Sequence, residues 1–357
     1  MTTNSEFLGW PTVLSLLLGG QHLSADVAAS AVSEILRGDA TSSQITAFIV
    51  ALRAKGETEA ELAGMLSAVR VAGVAVKLPE NIASRAIDIV GTGGDKSNSV
   101  NVSTMAAFVV AGAGVPVCKH GNRASSSKCG SADVLEALGV AIDLGAADVA
   151  SCLATTGMGF CLATRFHPSF RHAGPSRREI GVPTAFNLLG PMANPAPIAN
   201  MLVGVAQPSM MHKMAHVLAS RGVTSAWVVH GHGGLDELAL SGANTVVQLR
   251  NGDVSEFIVD AADVGFARAN QADIEGGDAK VNALAVTAVL SSQAGPVRDI
   301  VVLNAAAALV IAGACVDLET GKSLAQQSID SGAAAGVLES LVRYSQELAA
   351  NATAKGA

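Results

Sequence analysis

Glycines, small hydroxyl residues and cations cluster in one region of the chain, between Asp88 and Asp133. The segments are Gly91-Thr-Gly-Gly-Asp95, Asn101-Val-Ser-Thr104, Lys119-His-Gly-Asn-Arg123 and Ser125-Ser-Ser-Lys-Cys-Gly-Ser131. Glycine lets the backbone approach a ligand closely, and the free N–H groups at the start of a helix attract negative charge. These residue types at this spacing predict the binding of a multiply charged anion.

Two common phosphate-binding motifs do not account for this region. A dinucleotide fingerprint would need its third glycine at position 96, where Lys96 stands. A Walker A loop needs glycine before its lysine, and that residue is Asp95. A single Gly-rich turn is more often only a turn, but several with matching chemistry so close together indicate a site.

Apolar runs and helix caps predict the elements that position these segments. Ala86–Val90 is predicted as a strand, and Ser103 and Thr104 are expected at the N-cap of a helix over Met105–Ala111. Short β-branched runs then alternate with helical patterns, which favours a mostly parallel sheet covered by helices. From about Asp253 only helices and Gly-rich turns are predicted. The predicted strands are Ala86–Val90, Val115–Cys118, Phe160–Leu162, Met201–Val205, Ala226–His230 and Thr245–Leu249. Ligands of such sheets lie beyond the carboxyl ends of the strands, where the anion-binding segments fall.

The first part of the chain is predicted to be helical and carries no catalytic constellation. Thr41 with Gln44 and Thr58 with Glu61 have the spacing of capping boxes, and an apolar helical face follows each pair. The predicted fold class is α/β. The expected domains are a helical domain over 1–85, joined by part of about 168–195, and an α/β domain over 86–167 and 196–357.

Composition limits the class of protein. Half of the 357 residues are hydrophobic and 15% are charged, so the chain can bury a sizeable core. A net charge of −7 argues against nucleic acid or an anionic membrane as the main partner. The apolar run Ile300–Val316 is too short for a membrane span and indicates a buried helix. The five cysteines form no CxxC pair and no positively charged leader precedes Arg37, so we expect free thiols and a cytoplasmic location.

The motif series resembles that of the anthranilate phosphoribosyltransferase family. The likeness spans most of the chain and continues through Arg177-Arg-Glu-Ile-Gly181, Phe186-Asn-Leu-Leu-Gly-Pro191 and Gly233-Gly-Leu-Asp-Glu237. It implies a small N-terminal helical domain plus a larger α/β domain, as in type III phosphoribosyltransferases and nucleoside phosphorylases. It also implies transfer of the phosphoribosyl group of 5-phosphoribosyl 1-diphosphate (PRPP) to the amine of anthranilate, in L-tryptophan biosynthesis. A homodimer joined through the helical domain is implied as well, and an anthranilate synthase partner is left open.

The resemblance also implies site residues. The PRPP-binding residues would be Gly91, Gly94, Asp95, Ser99, Asn101, Val102, Ser103, Thr104, Lys119, Ser127 and Ser131. The anthranilate-binding residues would be Gly91, His120, Asn122 and Arg177. Two Mg²⁺ ions per site are implied, with Ser103, Asp236 and Glu237 as their ligands.

The chemistry of these residues suits such roles. The planar guanidinium of Arg177 matches a carboxylate, although on residue type alone it could equally be helix-surface charge. Adjacent carboxylates are usually solvated, but Asp236 and Glu237 follow a predicted strand, where they suit a hard cation that retains waters. A lone histidine such as His120 is more often structural. Departure of diphosphate leaves an oxocarbenium-like centre, so no covalent nucleophile or obligatory acid–base residue is predicted.

Two other functions are considered beside this one. A pyrimidine nucleoside phosphorylase-like enzyme would share the fold and carry Lys-His-Ser, where this chain reads Lys119-His-Gly. A non-catalytic nucleic-acid-binding paralogue would need a basic surface, whereas this chain is acidic. Departures from the family pattern are small, because Lys96 replaces a common glycine, Ser99 a common threonine and Cys129 a frequent serine. None of them removes a predicted ligand.

Overall fold

The amino-terminal helices begin where the caps predict. The structure, a computed structural model, describes residues 7–124 and 127–356, so Ser125 and Ser126 of the predicted anion-binding region lie outside the described residues. The first helices are α1 (Trp10–Leu18), α2 (Ala25–Arg37), α3 (Ser42–Lys55), α4 (Glu59–Ala72) and α5 (Glu80–Ala83). Both predicted capping boxes are formed, before α3 and before α4. The apolar faces of these helices meet around Trp10 and Phe48, whose ring centroids lie 5.8 Å apart.

The rest of the described chain is built on a sheet of seven strands in the order β3-β2-β1-β4-β5-β6-β7. The strands are β1 (Ile87–Gly91), β2 (Val117–Gly121), β3 (Met158–Leu162), β4 (Asn200–Gly204), β5 (Ser225–His230), β6 (Ala243–Arg250) and β7 (Asp253–Asp260). The first five strands are parallel, and β6 and β7 extend the sheet in antiparallel pairing. The chain runs from β1 outward to β3 and then returns to the other side of β1 with β4. The boundary between β1 and β4 is therefore the topological switch point, where ligands of open α/β sheets bind.

Helices cover both faces of this sheet and connect it to the amino-terminal bundle. They are α6 (Val102–Gly112), α7 (Ser131–Ala137), α8 (Ala146–Thr156), α9 (Ala163–Phe166), α10 (Gly174–Ile180), α11 (Ala185–Met192), α12 (Met211–Ser220), α13 (Ala279–Leu290), α14 (Pro296–Ile311), α15 (Leu318–Asp330) and α16 (Ala333–Gly356). Helices α10 and α11 return to pack against α3. The predicted α/β class, with a small helical domain and a larger domain around a mostly parallel sheet, is confirmed. Among the described residues no helix has the length and apolar character that crossing a membrane requires.

Two local predictions are wrong. The helix after the Gly-rich loop begins at Val102 with Asn101 at its N-cap, so Ser103 and Thr104 lie in the first turn rather than at the cap. Strand β7 was not predicted, because it lies at the sheet edge with mostly exposed side chains and lacks a continuous apolar run. The sequence did contain a signal for it, because Asn251-Gly252 is a typical two-residue hairpin turn and both residues adopt positive φ.

Candidate functional site

Two paired glycines at the switch point allow a carboxylate to pack onto the ends of β1 and β4. Gly91 lies opposite Gly204 in the parallel register. A Cβ atom added to Gly91 would overlap the Asp236 carboxylate, and one added to Gly204 would overlap the backbone oxygen of Asp236. The backbone N–H of Gly93 donates to Asp236 Oδ2 over 2.6 Å. The Gly-rich loop and the acidic loop therefore meet directly at the position that fold topology predicts for a ligand.

Asp236 and Glu237, the acidic pair, lie where the ionised forms of their carboxyl groups are disfavoured. Burial, followed by the charge of Asp236, raises the pKa of Glu237 to about 8, while Lys119 and the N–H of Ser103 act in the opposite direction. Burial and the neighbouring Asp95 carboxylate raise the pKa of Asp236 to about 7, against the hydrogen bond from Gly93. Carboxylates in this condition would be stabilised by a cation that prefers oxygen ligands.

Lys119 is the buried cation of this cluster. Only 1% of it is exposed, and its Nζ donates to the carbonyl oxygen of Ile89 over 2.5 Å and to Ser103 Oγ over 3.2 Å. Burial lowers its pKa, whereas the carboxylates of Asp88 and Glu237 raise it. The ammonium group thus lies between the end of β1, the first turn of α6 and the acidic pair.

The Gly-rich loop presents mainly backbone to this cluster. Gly94 is exposed, and Asp95 Oδ1 accepts the N–H of Ser97, whose hydroxyl donates to Ser99 Oγ over 3.1 Å. Val102 and Thr104 are buried, and the Thr104 hydroxyl has no hydrogen-bond partner among the described residues. The main-chain N–H groups of these two residues donate within the protein, to Val100 O over 2.7 Å and to Asn101 O over 3.1 Å.

The loop after β2 faces the Gly-rich loop from the other side. Asn122 is exposed, and its backbone oxygen accepts the hydroxyl of Ser131 over 3.4 Å. Ser127 Oγ donates to the carbonyl of Cys129 over 3.4 Å. The carboxylate of Asp133 accepts backbone N–H groups from Ala124 and Gly130 and holds the ends of this loop together. Ser127 thus lies on a loop with defined anchor points, and Ser131 is the first residue of α7.

A row of rings connects His120 to Arg177. The centroid distances are 5.3 Å for His120–His167, 6.0 Å for His167–Phe170, 5.9 Å for Phe170–Phe186 and 5.5 Å from the Arg177 guanidinium to the Phe186 ring. Burial lowers the pKa of Arg177, and no carboxylate in the described part of the chain lies within 4.0 Å of its side-chain nitrogens. Its charge is therefore available to an anionic ligand.

His120 is a neutral ring with one free nitrogen. Burial, followed by the charges of His167 and Arg221, lowers its pKa to about 3. Because Nδ1 faces the carbonyl oxygen of Gly190 over 3.2 Å, Nδ1 carries the proton and Nε2 is left as an acceptor. Nε2 is buried and has no partner among the described residues.

A buried clamp beneath the site was missed by sequence reasoning. Asp88, fully buried, accepts the backbone N–H of His120 over 3.1 Å and the side-chain amide of Asn194 over 2.8 Å. Asn194 also donates to the carbonyl of Cys118 over 2.7 Å. The clamp fixes the end of β2 against β1. A carboxylate inside an otherwise apolar strand was the available signal.

Comparison with known proteins shows which family the chain is similar to. The family model described as "Glycosyl transferase family, a/b domain" matches residues 83–335, and the one described as "Glycosyl transferase family, helical bundle domain" matches residues 11–73. The chain is 52% identical to the anthranilate phosphoribosyltransferase of Salinispora arenicola (strain CNS-205) over 334 residues, or 92% of this chain and 94% of that protein. It is 48% identical to that of Afipia carboxidovorans, over 94% of this chain and 98% of that protein.

Solved structures are similar over nearly the whole chain. Anthranilate phosphoribosyltransferase from Thermus thermophilus superposes with a TM-score of 0.88 at 37% identity, covering 94% of this chain and 99% of that one. The enzyme from Saccharomyces cerevisiae in complex with PRPP and Mg superposes with a TM-score of 0.86 at 27% identity, covering 95% and 98%.

Proposed function

Because this chain belongs to the anthranilate phosphoribosyltransferase family, we propose that it transfers the 5-phosphoribosyl group of PRPP to the amine of anthranilate. The products are N-(5-phosphoribosyl)anthranilate and diphosphate, in L-tryptophan biosynthesis. The observation that supports this function best is the switch-point cluster, in which Asp236 and Glu237 lie beside Lys119. Such a cluster provides both signs of charge that a metal–diphosphate complex needs.

The diphosphate and phosphate groups of PRPP would bind between the Gly-rich loop and the loop after β2. The backbone of Gly91, Gly94 and Asp95 would approach the anion, whereas the N–H groups in the first turn of α6 already donate within the protein. The proposed contacts are Gly91, Gly94, Asp95, Ser99, Asn101, Val102, Ser103, Thr104, Lys119, Ser127 and Ser131. Since Val102 and Thr104 have buried side chains and N–H groups that already donate, we assign them only main-chain packing contacts in the cradle.

Two Mg²⁺ ions are assigned to the acidic side of this cleft. Asp236 and Glu237 would hold one ion, and Ser103 would reach the other. The raised pKa values of the two carboxylates fit this assignment, since a divalent cation would favour their ionised forms. When bound, Mg²⁺ would neutralise the diphosphate leaving group and help to orient it. A Saccharomyces cerevisiae relative has been solved with Mg bound.

Anthranilate would bind along the ring row, with its carboxylate at Arg177. Planar guanidinium and carboxylate groups pair through two parallel hydrogen bonds. The free Nε2 of His120 would accept a hydrogen bond from the aromatic amine, and Asn122 and Gly91 would border the ring. His120 has too low a pKa to remove a proton before reaction, so we assign it an orienting role.

Catalysis then consists of orientation and charge stabilisation. As diphosphate leaves ribose C1, positive charge develops on the sugar, and the amine must already lie in line with C1. The backbone N–H groups and Lys119 stabilise the negative charge that grows on the leaving group. The amine nitrogen forms the new bond and loses its proton afterwards. We assign no covalent or obligatory acid–base residue.

The wider organisation is also part of the proposal. We infer a helical domain over 1–85 joined by part of about 168–195, a homodimer formed through it, and a cytoplasmic location. The packing of α10 and α11 on α3 supports the domain division.

Leu18 and Val50 are exposed in an apolar groove between α1, α3 and α10, which suits a subunit contact. Sedimentation of a Leu18→Glu variant as a monomer, when the wild type is a dimer, would test this contact.

The reaction is tested by PRPP- and Mg²⁺-dependent loss of anthranilate fluorescence. We expect turnover in the wild type. In Arg177→Ala we expect a KM for anthranilate raised about tenfold or more, because a charge-assisted pair is lost. Arg178→Ala is the matched control, because Arg178 is exposed beside it. Equal kinetics of the two variants would place the carboxylate contact elsewhere, and PRPP binding without turnover would mean a different acceptor.

A further inference from the structure

A distant segment packs along the Gly-rich loop. It runs from Gln271 to Asn282 and includes the N-terminus of α13. Three hydrogen bonds join it to residues 97–100 of the loop, from Gln271 Nε2 to Ser97 O (3.0 Å), from Gly276 N to Asn98 O (2.8 Å) and from Val100 N to Ile274 O (3.0 Å). The conformation of the loop is therefore set partly by residues far away in the sequence.

Asn282 is the centre of this contact. It is 1% exposed, and its Nδ2 donates to Asn101 Oδ1 over 2.8 Å. Its Oδ1 accepts the backbone N–H of Gly277 over 2.8 Å. Asn101 in turn donates its Nδ2 to the carbonyl of Cys129 over 3.2 Å. The two amides thus link the α13 segment, the Gly-rich loop and the loop after β2.

These hydrogen bonds form a relay from Gly277 through Asn282 and Asn101 to Cys129, and its donor-to-acceptor direction is fixed at both ends. The N–H of Gly277 can only donate, so Asn282 must turn its oxygen towards it. The carbonyl of Cys129 can only accept, so Asn101 must turn its nitrogen towards that group. The central bond then runs from Asn282 to Asn101 and in no other direction. A buried relay of this kind favours one relative position of the loops that it joins.

We propose that Asn282 is a positioning residue for PRPP binding, which acts through Asn101 on the two loops of the phosphate cradle. The inference rests on the proposed function, since those loops are the PRPP-binding loops proposed above. Asn282 is buried beneath the loops and need not touch substrate. Without its donor, Asn101 would lose a fixed orientation, and the loops would have to be ordered when PRPP binds.

Asn282→Asp gives the sharpest test. The carboxylate keeps the acceptor for Gly277, but it presents an oxygen to the oxygen of Asn101 in place of a donor. We expect the KM for PRPP, and its calorimetric Kd, to rise about tenfold, with kcat and the KM for anthranilate changed by less than about twofold. Asn282→Ala tests the same bond without a new charge, should the Asp variant fail to fold.

Asn200→Asp is the matched control. Asn200 is a buried amide at the opposite end of β4, where it donates to the carbonyls of Ser84 and Ala86. We expect this variant to have a lower Tm and an unchanged KM for PRPP. The inference is overturned if the Asn282 variants keep the wild-type KM for PRPP, or if their KM values for both substrates rise together.

A double-mutant cycle tests the route through Asn101. If Asn282 acts through that residue, the Asn101→Ala/Asn282→Ala variant should bind PRPP no more weakly than Asn101→Ala alone. Additive losses would overturn the inference. A wild type without turnover would instead refute the proposed function, and calorimetry with PRPP would still decide the role of Asn282. A wild type that does not bind PRPP would overturn both.

Discussion

The two halves of the proposed cleft differ in how firmly they are built. On the diphosphate side, Lys119 and Glu237 are buried, and Asp236 is held by a backbone N–H group from the opposing loop. On the acceptor side, Asn122 is exposed and Arg177 is half-buried, without a carboxylate within 4.0 Å in the described part of the chain. The described residues of one half are mainly buried or hydrogen-bonded to each other, whereas the other half keeps unused hydrogen-bonding capacity.

This difference follows from where the residues lie in the fold. The diphosphate side is formed at the ends of neighbouring parallel strands, whose positions are fixed by the sheet. On the acceptor side His120 lies on β2, but Arg177 and Asn122 are carried by α10 and the loop after β2, which do not belong to the sheet. Preorganised charges act most strongly on a developing anion, so the first half suits the reaction centre and the second suits recognition.

Replacing Lys119 should have the largest effect on activity, and it tests most directly whether the diphosphate side differs from the acceptor side. Lys119→Met removes the cation that faces Asp88 and Glu237 and leaves their carboxylates unpaired in the interior. We expect kcat/KM for PRPP to fall on the order of 100- to 1000-fold, with a lower Tm. Lys77→Met, on an exposed side chain, is the control. If only the KM for anthranilate rose in Lys119→Met, Lys119 would belong to the acceptor side of the cleft and not to the diphosphate side.

Asp236→Asn should change the requirement for Mg²⁺. An amide is a weaker ligand than a carboxylate, so we expect the half-saturating Mg²⁺ concentration to rise about tenfold or more. Because the variant also removes repulsion with Glu237, its metal-free Tm at pH 8 should be at or above that of the wild type. Asp253→Asn makes the same charge change at an exposed position. An unchanged Mg²⁺ dependence would argue against the metal assignment.

The difference between the two halves also explains which parts of the candidate site could be predicted from the sequence. Strands and local motifs indicated the diphosphate side, because Gly91 ends β1, Lys119 lies in β2 and Asp236 follows β5 across a short turn. Pairings between distant residues had no such signal. Asn101 and Asn282 are 181 positions apart and carry ordinary amides. The row of rings from His120 to Arg177 likewise depends on tertiary packing, which periodicity within one segment does not encode.

Arg177→Lys would sharpen the view of the acceptor side. Lysine keeps the charge but loses the planar pair of donors and the stacking on Phe186. We expect the KM for anthranilate to rise by up to about tenfold, less than for alanine, while the KM for PRPP stays unchanged. Arg178→Lys is the control, because it makes the same exchange of cationic side chains at an exposed neighbouring position. If lysine and alanine at this position gave the same KM, charge would contribute nothing to recognition.

The smallest effect on activity is expected at Asp88, which lies between the two halves. It contacts His120 on one side and faces Lys119 on the other. Burial raises its pKa from an ordinary value of 3.8 to about 6, against the charge of Lys119 and the hydrogen bonds from Asn194 and His120. A raised pKa in the folded state means that the protonated form is the stabilising one. The stabilisation of the folded state by protonated Asp88 is complete below pH 3.8 and is lost as pH rises through about 6.

Chemical unfolding of Asp88→Asn across the pH range tests this sign. Relative to the variant, the free energy of unfolding of the wild type should fall between about pH 4 and about pH 7, by at most about 3 kcal/mol. Asp260→Asn is the control with the opposite pH dependence. The hydrogen bond from Arg268 lowers the pKa of Asp260, so the stabilisation of the folded state by ionised Asp260 is lost on acidification. Parallel curves for the wild type and Asp88→Asn would mean that Lys119 already compensates Asp88 fully, and that the two halves of the cleft are not coupled through this carboxylate.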